Sequence, residues 1–185
     1  MTAVSLHRLQ CIKHSNFILE RNLMEIRKTT PDELELLLKM YENARMFMAS
    51  HGNPTQWGTS YPSRELVAED ISTGCSYVCI EHGKIIATFY YREGDDSTYT
   101  HIYSGQWLNE HPYGAVHRIT SDGSVRGAAS FCLEWAYQQC GNLKIDTHRD
   151  NTVMQHLLEK NGFTYCGVIY TDNGSERLAY QKCEK

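Results

Sequence analysis

The stretch AVHRITSDGSVRGAASFCLEWA, residues 115–136, decides how the chain is read. Residues 115–120 are short, apolar and β-branched, and they stop at the turn-forming Ser121-Asp122-Gly123. From Val125 the apolar residues change to helical spacing: Val125, Ala128, Ala129, Cys132 and Ala136. A buried strand, a glycine turn and a helix are therefore expected in that order. Between strand and helix lie Ser124, Val125, Arg126, Gly127, Ala128 and Ala129. Small side chains at a helix start let a ligand come close to the backbone. The first N–H groups of a helix have no partner within it, and the helix dipole adds partial positive charge. Such a turn suits a phosphate. It also suits an ordinary strand–turn–helix in which the small residues serve packing.

The flanking sequence builds a single domain around this unit. Upstream, residues 25–28 read as a short strand. Thr30-Pro31-Asp32-Glu33 then signals a helix start, with a capping residue, a proline at the first helical position and a glutamate three residues after Thr30. Leu34, Leu37, Leu38, Tyr41 and Met48 continue at helical spacing as far as His51-Gly52-Asn53-Pro54. A second helix is expected from Ser63 to about Ser72. Residues 76–81 and 84–91 are apolar runs joined by His82-Gly83, a tight hairpin. Residues 99–104 suggest another strand or an irregular excursion. This insertion carries Tyr99, His101, Tyr103 and Trp107, either shaping a ligand site or forming an aromatic cluster under a long loop.

Downstream, residues 143–147 form a strand. Asp150-Asn151 opens a last helix with Val153, Met154, Leu157 and Leu158 on its buried face, stopped by Asn161-Gly162. Residues 163–170 and 176–182 make a final hairpin. The order βααβββαβαββ argues for an α/β fold, one mixed sheet covered by helices.

The 185 residues suit one domain with a sizeable core, and 41% hydrophobic and 22% charged residues lie in the ordinary globular range. A net charge of −4 gives no basic excess for nucleic acid. The seven cysteines are odd in number and contain no C-x-x-C. Reduced thiols in a cytoplasmic protein fit better than a disulfide framework or a zinc site, so no metal is expected. No apolar run reaches membrane-spanning length. Residues 1–23 carry His7, Arg8, Lys13, His14 and Arg21 without an apolar signal core. They read as an appendage ahead of a domain covering residues 24–185. The alternative is an N-terminal helix with a stripe at Leu6, Leu9 and Ile12, packing on the domain or on a second copy in a homodimer.

The central unit resembles motif A of the GNAT superfamily of N-acetyltransferases, a strand followed by Gln/Arg-x-x-Gly-x-Gly/Ala and a helix. Here the six positions are Ser124-Val125-Arg126-Gly127-Ala128-Ala129, and Ser124 departs from the pattern. Residues 145–163, IDTHRDNTVMQHLLEKNGF, resemble the family's Asn-x-x-Ala-x-x-Leu-Tyr-x-Lys-x-Gly-Phe signature. Asn151, Leu157, Lys160, Gly162 and Phe163 fall in register, and the resemblance spans roughly residues 24–182.

The resemblance implies a GNAT-like acyl-CoA N-acyltransferase fold and transfer of the acetyl group of acetyl-CoA to a primary amine of a small molecule or peptide, by direct attack in a ternary complex. The strands at 115–120 and 143–147 would run side by side and then part. Pantetheine would bond the backbone of Ile119, Thr120 and Ser121. Pyrophosphate would meet the N–H groups of Arg126, Gly127, Ala128 and Ala129, within the 124–129 turn. Asn151 would cap its helix and reach the cofactor. Arg126 would add charge at the phosphates or remain solvated.

Trp57 lies in the segment that flanks the acceptor pocket in such enzymes; it would line that pocket or plug the core. The family's frequent tyrosine acid falls at Leu158, so that role is empty. His117 is the nearest candidate base, since an imidazole takes up a proton near neutral pH; a core histidine bonded to a neighbour is the other reading. A non-catalytic acyl-CoA-binding or interaction module on the same fold is the alternative to an enzyme.

Overall fold

The computed structural model describes residues 24–184. The expected appendage at residues 1–23 lies outside the described residues. The elements follow the expected order: β1 (Met24–Lys28), α1 (Leu34–Ser50), α2 (Arg64–Ser72), β2 (Ser76–Glu81), β3 (Lys84–Glu93) and β4 (Gly114–Ser121). Then come α3 (Ala128–Cys140), β5 (Asn142–Thr147), α4 (Thr152–Lys160), β6 (Thr164–Tyr170) and β7 (Glu176–Cys183).

The signals read from the sequence act as local switches. Glu33 returns its carboxylate to the Thr30 N–H at 2.8 Å, and Pro31 opens a short 3₁₀ turn that leads into α1. Ser63 caps α2 by accepting the Leu66 N–H at 3.2 Å. Asn151 caps α4 by accepting the Met154 N–H at 3.1 Å. One boundary moves. The helix expected from Val125 begins at Ala128, because Gly127 takes a left-handed backbone (φ 91°) and ends the turn.

The seven strands form one sheet in the order β1-β2-β3-β4-β5-β7-β6, antiparallel except for the parallel pair β4–β5. On one face, α3 and α4 bury Cys132, Leu133, Ala136 and Leu158 against Phe89, Val116, Leu143 and Ile145. A side chain such as Leu133 contributes about 1.5–3 kcal/mol by this burial. On the other face, Leu37 and Tyr41 of α1 and Val67 of α2 pack on Val78 and Ile80. Alternation along β2 sends Cys79 to the first face and its neighbours to the second. The last helix differs in one residue from its expected stripe. Val153 is exposed, and Met154, Leu157 and Leu158 carry the buried side.

The insertion between β3 and β4 holds a short 3₁₀ turn (Ser97–Tyr99) and one bridge from Tyr103 to Val168, not a full strand. Tyr99 packs there with Ala115, Ile169 and Ala179, and Ile102, Trp107 and Tyr113 close over them. Fully buried Gln181 accepts the Leu108 N–H at 2.7 Å and donates to Asn142 at 2.7 Å. Lys144 is buried beneath the insertion, its Nζ 4.2 Å from the Trp107 ring centre and 3.9 Å from that of Tyr113. Gly105 lies against the Cys166 carbonyl, where a Cβ would sit 2.0 Å from the oxygen. The insertion is thus fixed on β5, β6 and β7, and its Asp96 and Tyr99 reach the centre of the molecule.

Candidate active site

β4 and β5 pair only at Gly114–Leu143 and Ala115–Lys144, and beyond this they part. Opposite the gap, β4 carries a bulge. Thr88 faces Thr120, yet Tyr90 faces His117, so two β4 residues oppose one of β3. Arg118 sits in the bulge with φ 53°. As a result His117 and Arg118, consecutive in sequence, both approach Tyr90: His117 ring to ring at 5.6 Å, and the Arg118 guanidinium 4.7 Å from the ring centre.

His117 donates from Nε2 to Asp96 Oδ2 at 2.8 Å. Burial works against the charge on Asp96. The bonds from His117 and Thr98 more than offset it and hold this carboxyl well below the usual carboxylate range. An ionised carboxylate only accepts hydrogen bonds, so the neutral imidazole carries its proton on Nε2 and its lone pair on Nδ1. Nδ1 lies 3.8 Å from Asp146 Oδ1. Tyr99 stacks on the imidazole with ring centres 5.6 Å apart and donates its hydroxyl to Asp146 Oδ1 at 2.9 Å. Full burial, with Asp146 and Asp96 nearby, raises the Tyr99 phenol well above its ordinary value and keeps it a donor.

Next to this group, Arg118 makes a two-pronged pair with Asp70 of α2, Nε to Oδ2 at 3.1 Å and Nη2 to Oδ1 at 2.9 Å. Its Nη1 donates to the Tyr61 hydroxyl at 3.1 Å. The loop before α2 is tied to α4 through Gln56, whose Oε1 accepts from Asn53 at 2.7 Å and from Asn151 at 2.9 Å. Trp57 is half-buried and meets Tyr41 edge-on at 5.8 Å, so it both packs on the core and faces the cleft.

On the other side of the gap, no side chain caps α3. The turn before it is shaped by Asp122, which accepts the Ser124 N–H at 2.9 Å and hydroxyl at 2.6 Å and pairs with Lys84 at 2.7 Å. Gly127 stands in open space, with no atom within 4 Å of where a Cβ would lie. Arg126 is exposed beside it. This end of α3 keeps free N–H groups and a positive dipole end.

One cleft of about 1430 Å³ joins both sides. It exceeds the ~300–1,000 Å³ of a single small-ligand pocket. It is lined by His117, Ile119, Thr120, Ser121, Ala129, Asn151 and Trp57 of the residues singled out in the sequence. The remaining ones do not line it. Ser124 is held by Asp122, Val125 packs on the core, Ala128 is buried, and Arg126 and Gly127 are exposed at the helix start.

Neither a scan against protein-family models nor a comparison with curated proteins gives a match. Solved structures do. An acetyltransferase of the GNAT family from Streptococcus agalactiae is 34% identical, with 88% of this chain and 96% of that chain covered and a TM-score of 0.79. The chain belongs to the GNAT family of acetyltransferases. A GNAT acetyltransferase from Listeria monocytogenes, 16% identical, shares the fold at a TM-score of 0.64 over 86% of this chain and 94% of that one. The NatC complex bound to Gag peptide and CoA, 11% identical, does so at 0.59 over 88% and 99%.

The family frame places Leu158 where a tyrosine acid is common. Leu158 is fully buried in the core between α4 and the sheet, and the cleft is lined instead by Val153, Met154 and Leu157. Sequence reading raised Tyr99 only as one of the aromatic residues of the insertion, and it did not find Asp96, Asp146 or the Arg118–Asp70 pair. For Asp146 the alternation of Leu143, Ile145 and Thr147 sets it beside Lys144 on the other face of the strand, where a charge is ordinary and carries no signal. For Asp96 in the turn-like Gly94-Asp95-Asp96-Ser97 there was none.

Proposed function

We propose that this GNAT acetyltransferase moves the acetyl group of acetyl-CoA to a primary amine by direct attack, with both substrates bound in one cleft. The observation that carries the reading is the parting of β4 and β5 between an uncapped helix start and the His117–Asp96 pair. Acetyl-CoA, when bound, supplies the activated thioester. Ile119, Thr120 and Ser121 would hold its pantetheine arm by backbone bonds. The turn from Ser124 through Val125, Arg126, Gly127 and Ala128 to Ala129 would hold its pyrophosphate, and Asn151 would border it. His117 is the general base, accepting the amine proton on Nδ1 while Asp96 fixes the ring. Six free cysteines among the described residues suit a reducing compartment, and we place the enzyme in the cytoplasm.

Calorimetry tests the donor site. A glutamate at Gly127 meets no protein atom at its Cβ, so it leaves the packing intact and puts negative charge at the anion-binding end of α3. Gly127→Glu should weaken acetyl-CoA binding by about 10–100-fold. Gly127→Ala should keep the affinity and lose about 1 kcal/mol of stability to the left-handed backbone. Unchanged affinity in a folded Gly127→Glu protein would remove this site.

A second expectation concerns the acid. Leu158 offers none, and a thiolate is a good leaving group. The pH profile of kcat, which reports groups in the ternary complex, should rise as the base loses its proton and then stay level. A descending limb abolished by replacing Tyr61, Tyr90 or Cys75 of the cleft would reveal an acid and overturn this expectation.

A further inference from the structure

Among the carboxylates that line the cleft and are largely shielded from solvent, Asp146 is the least satisfied. Asp70 accepts a two-pronged guanidinium, and Asp96 accepts from His117 and Thr98. Among the described residues Asp146 accepts one hydrogen bond, from Tyr99. Its Oδ2 is 3.8 Å from Arg177 Nε, a contact but not a hydrogen bond. The Arg177 guanidinium donates instead to the Ser175 hydroxyl and the Glu176 carbonyl. The Asp146 side chain is 12% exposed and lines the cleft, so its remaining lone pairs are open to what the cleft holds.

The direction of the open valence is defined. Oδ1 of Asp146 and Nδ1 of His117 face each other at 3.8 Å. With the imidazole proton committed to Asp96, both atoms are acceptors, and no side chain among the described residues donates to both. A nitrogen carrying several hydrogens, placed at hydrogen-bond distance from both, completes the arrangement. An ammonium suits it, because it can donate to both atoms at once, while Arg177 reaches only the other oxygen of Asp146, at 3.8 Å.

We infer that Asp146 is the specificity carboxylate of this enzyme, receiving the acceptor as a protonated alkylammonium between its Oδ1 and His117 Nδ1. This rests on the acetyltransferase reading above. The bound ammonium passes one proton to Nδ1 of His117. The freed nitrogen lone pair forms the C–N bond with the acetyl carbon, the C–S bond breaks with its electron pair leaving on sulfur, and the second nitrogen proton passes to solvent to give the amide. Asp146 stays a carboxylate throughout, and Tyr99 positions it.

The test reads binding without turnover. The protein saturated with CoA is titrated calorimetrically with propylamine and benzylamine, each beside the alcohol of the same skeleton. The wild type should bind the amines at least about tenfold more tightly than the alcohols, as a hydrogen bond to a charged group implies. Asp146→Asn, which keeps the shape and an acceptor for Tyr99, should remove that preference by weakening the amines alone. Its affinity for CoA should not change, which shows that the fold and donor site persist. Amines and alcohols weakened alike, or an amine preference that survives in Asp146→Asn, would overturn the inference and leave the transferase reading standing. A wild type that binds no CoA would overturn both.

Discussion

Replacing His117 by glutamine should lower kcat by about 10²–10⁴-fold, the usual contribution of a positioned general base. Glutamine can still donate an N–H to Asp96, so the 2.8 Å contact that anchors the insertion has a substitute. What it cannot do is accept a proton. Acetyl-CoA affinity should stay within about twofold of wild type, because the proposed donor site, at Ile119–Ser121 and the start of α3, does not use the imidazole. Added imidazole should restore part of the rate in His117→Ala, which a purely structural histidine would not allow. A loss of kcat smaller than about tenfold in folded His117→Gln would show that the amine sheds its proton elsewhere.

The largest stability effect is expected at Asp70. Both members of the Arg118–Asp70 pair are buried, with side chains 10% and 8% exposed. Burial raises the Asp70 carboxyl above its ordinary value in spite of Arg118, so the pair gains little from charge alone. Breaking it is a different matter. Asp70→Ala would leave a guanidinium in the protein interior with, among the described residues, only the Tyr61 hydroxyl as a side-chain hydrogen-bond partner and the Tyr90 ring beside it, and should cost about 3–5 kcal/mol. For a domain of this size that lowers the melting temperature by about 6–20 °C. Asp70→Leu combined with Arg118→Met removes both charges and should recover most of the loss. A double variant as unstable as the single one would contradict this account and point to packing around the Arg118 bulge instead.

The strand–turn–helix at residues 115–136 was legible because each of its signals is local. Period-2 and period-3.6 patterns, the caps at Thr30, Ser63 and Asn151, and the turn residues act within a few positions. Element order follows from them, and the parting of β4 and β5 was expected from the family resemblance. Val125 misled because its spacing fits the helix, while the backbone of Gly127 holds it outside. Val153 misled for a related reason: hydrophobicity marks a stripe but not which of its edges meets the core.

The acceptor side was not legible in this way. Asp96, Tyr99, His117 and Asp146 come from an insertion and two strands, and pairs such as Tyr99–Asp146 lie 47 residues apart. Their meeting depends on how the insertion is pinned by Gln181, Lys144 and Gly105, which no short-range pattern encodes. The bulge left a trace, since His117-Arg118 interrupts an apolar strand with two adjacent polar residues. That trace gives the position but not the partner.

The account's central claim is transfer from acetyl-CoA to an amine at this cleft. The most direct measurement is thiol release from acetyl-CoA with a panel of primary amines, with the product identified by mass. The account predicts amine-dependent CoA release, an acetylated amine in equal amount, and loss of both in Gly127→Glu. Binding of acetyl-CoA with no acetylated amine from any member of the panel would contradict it and leave an acyl-CoA-binding module on the same fold.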